Sequence, residues 1–181
     1  MQRNLLIFSA LVILGASACS YNNPSPGLCL DGNCSFYFWE DLEMGITSQW
    51  DDYLMDTLPR YHNFAAGNQR VFIFENEHWE NPAVADDELT EYFRFQVPMN
   101  ADDFVLATTE DLANAQVGFF RSCSCFIELD LPTEGRIVGE RVGKNVFKVT
   151  VDISFESNGE QQSLTFTRRM RYQKTPDWVF N

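Results

Sequence analysis

The sequence predicts an all-β fold, a single antiparallel β-sandwich or partly closed barrel, and three features point there. The run KNVFKVTVDISFES sets Phe147, Val149, Val151, Ile153 and Phe155 at alternate positions, with Lys148, Thr150, Asp152, Ser154 and Glu156 between them. A strict period of two buries one face and wets the other, as in an antiparallel sheet. Gly143-Lys144-Asn145 and Asn158-Gly159 supply short reversals on either side of that run, which favours pairing with its neighbours. From residue 69 onward the apolar runs are rich in aromatic and β-branched side chains, which suit a pleated, half-buried surface. The competing expectation is an α+β fold, a helix on a curved sheet as in cystatin-like or NTF2-like proteins, which requires helix in residues 34–66.

At the N-terminus, Arg3 precedes an apolar run from Leu5 to Leu14 broken only by Ser9. That run is too short to cross a bilayer, which takes about 20 residues, and suits a secretory signal peptide over residues 1–18. Ala16-Ser17-Ala18 completes a small-residue cleavage site before Cys19. Ser17, Ala18 and Cys19 in this setting resemble the lipobox of bacterial lipoprotein precursors, with Ala16 where leucine is usual. The resemblance implies cleavage before Cys19, a diacylglycerol on its thiol, and a cell-envelope protein anchored to a membrane, the outer membrane with a periplasmic or surface face being expected. Two or three acyl chains anchor stably where one does not. Residues 19–28 are then the lipidated cysteine and a polar, proline-bearing linker, SYNNPSPG. Further on, VFIFENEHWENPAVADDELTEYFRFQV and GRIVGERVGKNVFKVTVDISF are similar to small β-rich lipoproteins of Bacteroidota, a likeness that carries no catalytic motif.

Residues 29–181 are enough for one β-rich domain with its own core. Asp31-Gly32 marks a turn between Cys29 and Cys34, and FYFW at 36–39 reads as a strand near residues 34–40. Trp50, Tyr53, Leu54 and Leu58 recur at helical spacing behind Ser48 as a cap, so a short helix is expected near 48–57. QRVFIFENEHWE and DELTEYFRFQVP are strands expected to pair antiparallel, with Phe93, Phe95 and Val97 on one face. TTEDLANA has room for about one helical turn. Val117, Phe119, Cys123, Cys125, Ile127 and Leu129 alternate, interrupted by Arg121. Leu164, Phe166, Met170 and Tyr172 continue the apolar face, so residues 116–173 are expected to form one meander.

The chemistry-bearing residues are sparse. Cys29 and Cys34 bracket a turn and are the disulfide candidates. Cys123 and Cys125 share a strand face at about 6.6 Å, beyond a comfortable mutual bridge, and are expected to be buried thiols. A C-x-C metal site needs further ligands, and His62 and His78 are the only histidines; zinc spacing is absent, so no metal or cofactor is expected. Asp51-Asp52, Asp86-Asp87-Glu88 and Asp102-Asp103 lack calcium-loop spacing. No nucleophile elbow, zinc-protease or phosphate-loop motif occurs, and no catalytic residue is assigned. Glu75, Glu77, His78 and Glu80 crowd one strand end, with His78 on the face of Phe74. Trp39, Trp50, Trp79 and Trp178 offer a platform for a glycan, peptide or protein if exposed and plain core if buried. The net charge of −13 repels nucleic acid and anionic headgroups, and neither is expected as a partner.

Overall fold

The computed structural model describes residues 29, 32–51, 56–78, 89–122, 127–157 and 159–180. The signal segment, Cys19, the linker, Cys123 and Cys125 lie outside the described residues. In chain order the elements are β1 (Gly32–Asp51), β2 (Asp56–Ala66), β3 (Gln69–His78), β4 (Thr90–Pro98), β5 (Asp103–Leu106), α1 (Thr109–Asn114), β6 (Gly118–Ser122), β7 (Ile127–Asp130), β8 (Pro132–Gly143), β9 (Val146–Ser157), β10 (Glu160–Tyr172) and a 3-10 turn (Asp177–Phe180). The strands form one sheet in the order β5-β8-β9-β10-β1-β3-β4-β6-β7, with β2 also on β1 and no closure into a barrel. Every pairing is antiparallel except β1 with β10, which run parallel through Tyr37 opposite Arg171 and Phe38 opposite Tyr172. The expected all-β class therefore holds, and the helix-on-sheet alternative does not.

The sheet curls over its own core. On a flat sheet β6 and β9, five strands apart, would be about 24 Å from each other at ~4.8 Å per strand. Instead the rings of Phe119 and Phe155 stack with centroids 5.1 Å apart. Phe147 on β9 meets Phe38 and Phe72 edge-on at 5.4 and 5.3 Å, and Phe93 on β4 meets Phe166 on β10. The five alternating apolar side chains of β9, from Phe147 to Phe155, are buried at 5% exposure or less. Leu112 on α1 reaches the same core, and α1 starts at Thr108 with a capping box to Asp111.

A second layer forms on the sheet's outer face. After Trp39 the register of β1 against β3 jumps to Leu42 opposite Gln69, with Asp41 at φ 60° in the bulge, which re-aims the strand. The far half of β1 then pairs with β2 from Leu42–Ala66 to Asp51–Asp56. This hairpin lies across β4 and β6: the Met44 amide donates to Gln96 Oε1 at 2.6 Å and the Ile46 amide to Gln116 Oε1 at 3.0 Å. Tyr37, Trp39, Val71 and Ile73 are buried beneath it.

Three expectations are corrected. The described part of 48–57 is not helix: residues 48–51 pair with 56–59 as strand, Pro59 falling beside the register break at Thr47/Ser48 where a missing N–H is tolerated, and residues 52–55 lie outside the described residues. The meander from 116 to 173 is broken between β7 and β8. β7 pairs back on β6 at one edge, whereas β8 joins β9 near the other, and the curl lets Leu131 alone link them. The alternation also changes face there, since Leu129 stands opposite Phe120 and Asp130 opposite Phe119. Tyr172 keeps to the apolar face, its ring 5.9 Å from that of Phe38, but at 40% exposure it is only half covered, because it is the last residue of β10.

Candidate functional site

On β3 the core-facing positions run Arg70, Phe72, Phe74, Asn76, His78, so the apolar core has a polar group at each end. At the first end, Arg70 is 1% exposed and its donors are spoken for. Nε and one terminal nitrogen reach Glu40 Oε1 at 3.1 and 3.0 Å, and the terminal nitrogens reach the carbonyls of Ala101 and Met99. Its guanidinium also lies 4.6 Å from the Phe147 ring centroid. A buried cation is tolerable when it is bonded in this way.

The other end is the candidate site. Register aligns Cys34 with Asn76, Asn76 with Glu91, and Glu91 with Arg121, which carries one polar row over four strands on the core side. Asn76 is fully buried. Its amide nitrogen lies 3.1 Å from Glu91 Oε2 and 3.0 Å from His78 Nε2, and that imidazole nitrogen is 2.9 Å from the same carboxylate oxygen. When Nε2 carries a proton it donates to Glu91 and cannot also accept from Asn76, so the amide serves the carboxylate. Arg121 continues the row, donating to Asp130 Oδ2 at 2.7 Å and contacting Ser157 Oγ on β9. A histidine oriented by a carboxylate is half of an acid–base device. The hydroxyl the row includes, Ser157, is held by Arg121.

Between the layers lies a second cluster. Tyr37 donates to Glu75 Oε2 at 2.9 Å; burial, then the Glu75 charge, raises its hydroxyl pKa, and the same causes push Tyr92 up to about 12. Arg94, buried, stacks 4.1 Å from the Tyr92 ring centroid and 5.4 Å from that of Phe64, and burial lowers its pKa. His62 Nε2 donates to the Gln116 carbonyl at 3.1 Å. Burial first, then the Arg94 charge, pushes its pKa down to about 3.

The two histidines are thus separated, His78 beside a carboxylate on the core side and His62 beside a cation on the outer side. Cys29 and Cys34 form a disulfide with Cα atoms 5.7 Å apart. Trp39 is buried; the side chains of Trp50, Trp79 and Trp178, like Cys123 and Cys125, are outside the described residues. No three metal-ligating side chains converge among the described residues. Two shallow surface grooves, one across β5 and β8 and one beside Gly159, do not reach His78 or Glu91. Asn76, Glu91 and Asp130 escaped the sequence reading, although Arg121 breaking an apolar alternation was the visible sign of an inward charge needing a partner. Comparison of the chain with family models, with curated proteins and with solved structures returns no match.

Proposed function

We propose that this is a lipid-anchored cell-envelope protein whose β-rich domain works by contact with a glycan, peptide or protein and not by catalysis. The tether rests on the Ala18-Cys19 junction behind a short apolar run, and the proline-bearing linker that follows is suited to spacing a domain from a membrane. The Cys29–Cys34 bridge fits an oxidising compartment. The observation that carries the binding reading is how the inward polar groups are used. Glu91 is tied to Asn76 and His78, Asp130 to Arg121, and Glu75 to Tyr37, so each bond joins strands or turns within the fold.

Metabolic labelling with a fatty acid tests the tether: the wild type takes up label and Cys19→Ser does not. Equal labelling of the two would end the proposal. The His78–Glu91 pair, at 23% and 15% side-chain exposure, favours a second reading, a small hydrolase or small-ligand pocket protein. On that reading His78→Gln abolishes turnover of ester and amide probes by the folded protein; on the binding reading there is no turnover to lose.

A further inference from the structure

The basic residues of this acidic chain are not scattered. Most of the thirteen fall between Arg136 and Lys174, on β8 to β10 and the segments beside them. On the outward face Lys148 stands directly opposite Arg169, with Arg171 two residues further along β10, and all three are exposed. Lys144, also exposed, sits in the turn beside them. Like charges in direct cross-strand register repel. Among the described residues none of these four lies within ion-pair distance of a carboxylate; the acid in register with them is Glu140, opposite Lys148 on β8. Asp152 is four residues along β9, about 13 Å away, beyond the ~8 Å over which a surface charge is felt at physiological salt. A ligand meeting this patch senses four cations against the one acid in register, Glu140, and not the net charge of the molecule.

We infer that Lys148, Arg169, Arg171 and Lys144 form a docking surface for the anionic phosphate headgroups of the membrane to which the chain is tethered. The inference rests on the proposed tether, and the geometry suits it. β10 and β9 are the first and second strands beside β1, so the patch lies about 10–15 Å along the sheet from Cys34, on the face opposite the core side where Cys29 and Cys34 pack, a distance the linker covers. The chain from Cys19 to Cys29 spans at most about 35 Å, at ~3.5 Å per residue. The tether holds the patch within reach of the surface, so binding is intramolecular and a few weak charge contacts suffice. Each basic residue near an anionic leaflet contributes about a fivefold gain in partitioning.

The test uses the full chain without acylation and vesicles of phosphatidylcholine alone or with about 30% phosphatidylglycerol. Insertion of the apolar N-terminal run, with Arg3 beside it, contributes equally to wild type and variants, so the change in anionic excess between them isolates the patch. Wild-type protein partitions more strongly to the anionic vesicles, and about 0.5 M salt removes the excess. Lys148→Gln/Arg169→Gln/Arg171→Gln lowers that excess about 100-fold, while Arg136→Gln, on the same face beside Asp152, leaves it largely intact. Equal partitioning to both vesicle types, or an undiminished excess in the triple variant, overturns the inference. Fatty-acid labelling is scored separately, so a failed patch and a failed tether are told apart.

Discussion

His62 shows how one buried side chain sets a pH dependence. Its ring is held neutral because burial and the neighbouring Arg94 charge oppose protonation, and Nδ1 has no partner among the described residues. The folded pKa of about 3 lies below the ordinary ~6.5 of an unfolded chain, so the unfolded state binds the proton more readily. The stabilisation is whole above pH ~6.5 and is lost as pH falls from there toward 3, at most about 1.4 kcal/mol per pH unit. Urea midpoints measured from pH 7 to pH 4.5 should fall less steeply for His62→Gln than for the wild type, and parallel slopes would remove His62 as the cause. Gly135 makes a separate case. It sits at φ 136°, and an added Cβ would collide with the Asp152 carbonyl oxygen and come within 2.5 Å of the Ile153 Cα. Backbone cannot give way cheaply, so Gly135→Ala should cost about 2 kcal/mol, read as a lowered urea midpoint. Such close approaches are invisible in sequence, where Gly135 looks like any other turn glycine.

Among the elements, β9 was the most legible, because its alternation depends on nothing beyond its own residues and both its faces keep their assigned sides. Phe147→Ala should therefore cost about 3–5 kcal/mol, and Thr150→Ala, one strand position class away on the wet face, within about 0.5 kcal/mol. Thermal unfolding of the two variants decides it; similar losses would mean that the alternation does not sort the faces. The helical turn in TTEDLANA was legible through local chemistry too, since Thr108 and Asp111 satisfy each other's backbone amides. The far half of β1 was not. Trp50, Tyr53, Leu54 and Leu58 do lie at helical spacing, but spacing cannot report that a partner strand is available across a hairpin. The polar row Asn76–Glu91–Arg121 was hidden for the same reason, as each member is ordinary in its own strand and only register brings them together.

At the scale of the molecule, the sheet consists of two halves joined edge to edge by the short β1–β10 parallel contact. One half holds β1, β3, β4, β6 and β7, the other β5, β8, β9 and β10. The chain does not respect that division, because β5, which follows β4 and precedes β6 in sequence, sits on the far half against β8. The halves also share their core: Phe147 packs on Phe38 and Phe72, Phe166 on Phe93, and Phe155 on Phe119. Neither half keeps its apolar face covered without the other, and exposing either face forfeits about 25 cal/mol for each Å² of apolar surface. Unfolding should accordingly be one cooperative transition despite the narrow sheet junction. Tryptophan fluorescence and far-ultraviolet circular dichroism should trace the same urea curve, with the same midpoint and slope. Phe166→Ala, whose ring reaches across to Phe93, should shift both curves together. A fluorescence transition that precedes the dichroism transition, in either protein, would show the halves unfolding separately and would make the two-pair β1–β10 contact, not the shared core, the limit on the stability of the whole.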